Sequence, residues 1–369
     1  MTTIGLIQYR GHVALVSDIV GTSLRGTEVP FIPTLGEAHA DAPDRRPIVA
    51  LCQKTAVIRD NLAISFSGNG DAAWAICGEL YASLPVLPTL EDFDAAINRV
   101  PYAVLSAATY IGALLTEAGP VPVHTPLVER RHADELMYMT AGSGASELAH
   151  MLATRAPALM ARPGEDADKV RDLAFSSAVT LQAMQVIGRS GLKEGWGGGF
   201  ETTIVRDGKF EKLGDVSVNY LVFWMHPDAM VQVQLYEPAT LLTYNGRVAE
   251  FIRSERGGGP SKCFTIPPMC WSPEQGIVLR SPDAPLPVPR LKAYAAGIIG
   301  EDRNMKFGTL IARPPNFLPL TDVEKPTGMA GWLHCEFLLR LFLGEGYTIS
   351  TVTVPDELLY FLEDKNRCQ

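Results

Sequence analysis

Apolar residues cluster in short periodic runs from the start of the chain. Residues 3 to 9 and 12 to 18 are rich in Ile, Leu and Val and are separated by Arg10-Gly11, which predicts a β-hairpin. The stretch from Gly21 to Pro47 breaks the pattern with prolines, glycines and the charged run Asp41 to Arg46, so a long irregular loop is expected there. A second hairpin is predicted over Leu51 to Ile58 and Leu62 to Ser67, turning at Arg59-Asp60-Asn61. The apolar period then changes from two to between three and four. Ala72, Ala75, Ile76, Glu79 and Leu80 follow a helical spacing, with Asn69 or Asp71 as N-cap.

Further along, a helix is expected near 90 to 98, with apolar segments at 103 to 117 that carry no clear period. A strand over Glu135 to Thr140 leads into Ala141-Gly142-Ser143-Gly144-Ala145-Ser146, then a helix over Glu147 to Thr154. Residues 166 to 188 form a longer helix, with Val170, Leu173, Ala174, Ala178, Leu181, Met184 and Ile187 on a broadly common face. The glycine-dense turn Glu194 to Gly199 precedes a strand from Phe200 to Val205. Hairpins, then helices, then more strands suit an α+β fold in which two sheets cover each other's apolar faces and helices cover the outside.

In the second half, strands are expected at Val216 to Trp224 and Ala229 to Leu235, and a helix or strand between Thr243 and Ile252 around Asn245-Gly246. Residues 256 to 260 and 281 to 289 read as surface loops, 329 to 343 as an apolar helical surface, 348 to 354 as a strand and 356 to 364 as a final helix. The expected division is a first domain at 2–235 and a C-terminal extension at 236–369, packed on the first or at a subunit interface.

Composition narrows the chemistry. The 369 residues carry a net charge of -9, without a basic run beyond Glu129-Arg130-Arg131-His132, which argues against a nucleic-acid partner. The most apolar stretches fall short of a membrane span, and the N-terminus does not read as a signal peptide, so a cytoplasmic protein without a membrane partner is expected. Six cysteines without a close CxxC pair predict neither a disulfide framework nor a zinc site, and the run Gly257-Gly258-Gly259 lacks the lysine of a phosphate loop. Neither cofactor nor metal is expected. Cys263 and Cys270 read as buried thiols, and nothing brings His226, His334 and Cys335 into one site.

Thr2 is the first candidate for chemistry. With Met1 removed, it carries a hydroxyl nucleophile and a free α-amine able to act as its base; with Met1 retained, that nitrogen is an amide. A small residue behind methionine normally permits trimming, and whether Met1 is removed stays open. Ser67-Gly68-Asn69-Gly70-Asp71 between a strand and a helix offers backbone N–H groups to an oxyanion, with Gly68 the candidate donor.

These features resemble the proteasome β-subunit-like family of N-terminal-nucleophile (Ntn) hydrolases over residues 2 to about 215. Thr2, Asp18 closing the second strand, Lys54 ahead of Ile64 to Gly68, and Gly142-Ser143-Gly144 carry the likeness. The resemblance implies a four-layer αββα sandwich with an insertion at 21–47 and a large C-terminal extension. It also implies a homo-oligomer and a threonine peptidase or amidohydrolase acting on a peptide or small amide. Docking of an ATP-driven unfoldase stays open. Lys54 would be the fixed cation, Asp18 its partner, and Ser143 the support of the amine or a plain helix cap. Glu194 would stand for a family aspartate or be a loop carboxylate. The chain departs from the family at Gly197, where a serine is usual, and in Asp18-Ile19-Val20-Gly21-Thr22, which lacks the usual arginine. The alternatives are a small-molecule amidase or an inactive structural or binding protein on the same fold.

Overall fold

The computed structural model describes residues 2–22, 31–34, 36–37, 48–161, 163–188, 192, 194–214, 216–225, 231–253, 262–269, 306–312 and 349–353. The predicted segments 256–260, 281–289, 329–343 and 356–364, with His226, Cys270, His334 and Cys335, lie outside them.

The chain is a mixed α+β protein. It begins with β1 (Thr3–Tyr9), β2 (His12–Asp18), β3 (Val20–Thr22), β4 (Phe31–Ile32), β5 (Gly36–Glu37) and β6 (Ile48–Leu51). Next come β7 (Thr55–Arg59), β8 (Leu62–Gly68), α1 (Gly70–Ser83), α2 (Leu90–Arg99) and α3 (Tyr102–Leu105). They are followed by β9 (Ala108–Thr116), β10 (Gly119–His124), β11 (Arg130–Ala133), β12 (Leu136–Gly142), α4 (Ala145–Met160) and α5 (Asp166–Gly188). The remaining elements are β13 (Phe200–Arg206), β14 (Lys209–Lys212), β15 (Val216–Met225), β16 (Val231–Asn245), β17 (Val248–Arg253), β18 (Lys262–Ile266), β19 (Lys306–Ala312) and β20 (Ile349–Thr353).

Three sheets dominate, with strand orders β11-β12-β1-β2-β13-β14, β10-β9-β8-β7 and β18-β17-β16-β15-β19-β20. Strand alternation separates two apolar faces of the first sheet. Ile4, Leu6, Val13, Leu15 and Met139 meet Ala63, Ile111 and Ala113 of the second sheet. The opposite face, including Ile7, Ala14 and Val16, packs on Leu148 and Leu152 of α4 and Leu173 and Ala174 of α5. On the far side of the second sheet, Phe66, Ile64 and Leu114 cover Ile76 and Leu80 of α1 and Phe93 of α2. Among the described residues no helix is long and apolar enough to cross a membrane.

Helix starts follow local chemistry. Asn69, rather than Asp71, is the α1 N-cap, its side-chain oxygen accepting from Ala72 N at 3.0 Å. At α2, Thr89 and Asp92 form a capping box. Ala75, expected on the apolar face of α1, is exposed, and Ala73 and Cys77 are buried instead.

Two expectations change in three dimensions. The predicted strand over 51 to 58 is interrupted between β6 and β7, because Gln53 and Lys54 turn their backbone bonds toward other elements. The expected domain boundary at 235 falls inside β16, and Leu242, Ala249, Phe251, Phe264 and Ile266 share one apolar cluster with Ile19, Val20 and Phe200. Helix α5 lies against β2 and β13 on one side and β19 and β20 on another. Its buried polar residues include Ser177 and Gln185 on the predicted apolar face and Ser176 and Gln182 to either side of it.

Candidate functional site

Antiparallel pairing brings distant residues to one end of the first sheet. In register, Thr3 faces Gly142, Ile4 faces Ser17, and Asp18 faces Phe200. The start of β1, the ends of β2 and β12, and the start of β13 therefore lie side by side. Thr2, Asp18, Ser143 and the glycine turn before Phe200 meet there although they span nearly 200 positions (residues 2 to 200).

Lys54 enters from the interrupted strand between β6 and β7. Its ammonium donates to Thr2 Oγ1, to the Val20 carbonyl, and to Asp18 Oδ1 at 3.1 Å. Thr2 Oγ1 in turn donates to Asp18 Oδ1 at 3.2 Å. Thr2 is 2%, Asp18 0% and Lys54 5% exposed, so the charges are tolerable only because they are paired. Ser143 Oγ accepts from Thr2 N at 3.1 Å and is within 3.4 Å of Thr2 O, to which Gly144 N also donates.

Gly142 must be glycine. Its φ is +95°, and an added Cβ would lie 1.9 Å from the Thr2 carbonyl oxygen and 3.1 Å from Ser67 Oγ. The same contacts place Ser67, and hence the strand end at Gly68, beside Thr2. Gly68 itself is exposed at the end of β8.

Burial pushes the Asp18 carboxyl above the ordinary carboxylate range, with the Lys54 charge and then the Gly197 and Thr3 N–H groups pulling it down. Every polar neighbour is a donor, so the site is built for the carboxylate. Gly197 N donates to Asp18 Oδ2 at 2.6 Å.

The surroundings of Gly197 leave no room for a side chain. An added Cβ would lie 1.4 Å from Gln185 Nε2. Gln185 clamps the turn from α5, donating to Trp196 O at 2.7 Å and accepting from Gly198 N at 2.9 Å. Sequence reasoning missed Gln185 because a single polar residue on the apolar face of α5, four positions after Leu181, carries no local signal of the turn it binds. Glu194 is exposed on the turn, unlike the buried members of the cluster.

Reasoning from sequence also missed Glu201, which is 1% exposed. Its Oε1 accepts from Ser17 Oγ, Lys54 N and Thr55 N, each at 2.8 Å, and its Oε2 accepts from Lys212 at 2.5 Å. Burial pushes the Lys212 ammonium down and the Glu201 charge opposes this. The available signal was one carboxylate in the run Phe200-Glu201-Thr202-Thr203-Ile204-Val205, where alternation points it to the same face as Thr203 and Val205.

The sequence-predicted residues Thr2, Asp18, Lys54 and Ser143 thus share one hydrogen-bonded cluster beside the Gly68 strand end. Cys52, next to it, is a half-buried thiol, and Cys77 is a buried thiol in α1. Comparison with protein-family models and with curated proteins finds no match for this chain.

Proposed function

We propose that the chain is an N-terminal threonine amidohydrolase of the proteasome-like Ntn class, its packed sheets and outer helices forming that class's four-layer αββα sandwich. The convergence on Thr2 carries the reading: its hydroxyl contacts both Asp18 and Lys54, while Ser143 holds its nitrogen. A threonine hydroxyl needs a base to attack an amide carbonyl. Once Met1 is removed, the α-amine has an ordinary pKa of about 7.7–8.0 and can take the hydroxyl proton.

Lys54 then donates to the developing alkoxide without giving up its proton, and Asp18 balances its charge. The Gly68 N–H is the proposed donor to the tetrahedral oxyanion, a contact worth about 3 kcal/mol in comparable sites. Collapse of that intermediate passes the amine-held proton to the leaving nitrogen and leaves an ester on Thr2. Water attacks the ester, the α-amine again serving as base, and releases the acid with the threonine restored.

The test uses protein confirmed by mass to begin at Thr2. A hydroxyl-directed electrophile should label Thr2, Thr2→Ser should retain turnover, and Thr2→Ala should lose labelling and turnover while staying folded. Full hydrolysis by Thr2→Ala defeats the assignment. Hydrolysis of blocked peptides rather than small amides marks a peptidase, and the reverse a small-molecule amidase. Absence of labelling marks a binding or structural protein.

A further inference from the structure

A second buried ion pair stands behind the proposed site. Glu201 on β13 and Lys212 on β14 lie across the same hairpin, and Lys212 also donates to Thr55 O at 2.6 Å. The Glu201 carboxylate accepts four bonds between 2.5 and 2.8 Å long, and two of them come from the consecutive main-chain nitrogens of Lys54 and Thr55. A lone carboxylate oxygen gathering two main-chain N–H groups fixes the local backbone much as a turn would.

The surrounding hydroxyls are ordered by the same charge. Ser17 Oγ gives its only proton to Glu201, so across the 2.7 Å contact Thr55 must donate to Ser17. Thr55 has then used its proton, so Ser65 must donate to Thr55 across the next 2.7 Å contact. All three hydroxyls therefore point toward Glu201, a directional chain that ties β2 of the first sheet to β7 and β8 of the second. Lys54 sits where that chain meets the gap between β6 and β7. On its other side Phe66 N donates to Lys54 O at 2.9 Å.

We infer that Glu201 is a positioning residue for Lys54, holding its main chain so that its ammonium reaches Thr2 and Asp18, with Lys212 neutralising the buried carboxylate. The inference rests on the hydrolase reading only for its consequence on rate, since the placement of Lys54 is observable independently. Glu201 does not touch the reacting atoms.

The experiment compares two double variants with the wild-type chain, all confirmed to begin at Thr2. Glu201→Gln with Lys212→Met keeps an acceptor oxygen for Ser17, Lys54 and Thr55 and removes the cation that an amide cannot neutralise. Glu201→Ala with Lys212→Met removes the acceptor as well. Labelling of Thr2 by the electrophile should slow by about 10²-fold in the alanine variant, the size expected for a misplacement near 1 Å. It should recover most of the rate in the glutamine variant. Crystal structures of both variants read the Lys54 Nζ to Asp18 Oδ1 distance, which should stay near 3.1 Å with glutamine and lengthen with alanine.

An alanine variant that is less stable yet labels at the wild-type rate, or one whose Lys54 has not moved, overturns the proposal. If wild-type protein resists labelling while Lys54 moves in the alanine variant, the positioning role stands and the hydrolase reading falls.

Discussion

Replacing Gly197 with serine, the residue of the resembled family, should damage this protein rather than improve it. The Gly197 φ of +108° is a conformation that L side chains rarely adopt, and the new Cβ would lie 1.4 Å from Gln185 Nε2 and 2.1 Å from its Cδ. The end of a glutamine normally swings away at little cost. Gln185 has nowhere to go, because it is 0% exposed and bonded at both ends to Trp196 O and Gly198 N. Strain of about 1–3 kcal/mol at the backbone, with a similar cost for each of the two buried partners left unpaired, puts the loss at about 3–9 kcal/mol.

Urea unfolding of wild type, Gly197→Ser, Gln185→Ala and the double variant measures this as a cycle. Because alanine at 185 vacates the space, the double variant should lose less than the sum of the singles by more than about 1 kcal/mol. Thr2 labelling should slow in Gly197→Ser, since the displaced turn withdraws its N–H from Asp18 Oδ2. A serine variant within about 1 kcal/mol of wild type, or strict additivity, refutes the clash and the clamp together.

Lys54→Met should cost about 3–5 kcal/mol, because it strands Asp18 as a buried unpaired charge, and adding Asp18→Asn should return most of that stability without restoring labelling; both are read by denaturant midpoints. Acidification should stop Thr2 labelling before it unfolds the chain. Burial raises the folded pKa of Asp18 above its unfolded value, so its own titration contributes stability that is present in acid and lost as pH rises through the folded value, while the carboxylate the site needs disappears early. Coincident loss of labelling and circular-dichroism signal would contradict this. Gln53→Ala removes side-chain bonds to Arg247 O at 2.7 Å and Ile266 O at 3.0 Å, so it should destabilise by about 1–3 kcal/mol in urea and slow labelling through the neighbouring Lys54.

Local periodicity and turn chemistry were enough to find the hairpin of β1 and β2, the helix behind Asn69 and the long α5, because these rest on contacts between near neighbours. Thr2 was a candidate from its own chemistry, whereas Asp18, Lys54 and Ser143 became candidates only through the family resemblance. The break between β6 and β7 was not legible. It arises from bonds to Glu201, 147 positions after Lys54, and to Pro267, far beyond Gln53 in the sequence. The same holds for Gln185, whose partners Trp196 and Gly198 lie beyond the end of α5.

The sequence by itself determined which segments pair locally and which residue types were available for threonine chemistry. Only the tertiary structure decided that β1, β2, β12 and β13 have their ends at one place, that Gln185 fills the space a side chain at position 197 would need, and that Glu201 stands behind Lys54. Strand register and burial are properties of the assembled sheets, and a charge becomes a site only when desolvation forces it to find its partner.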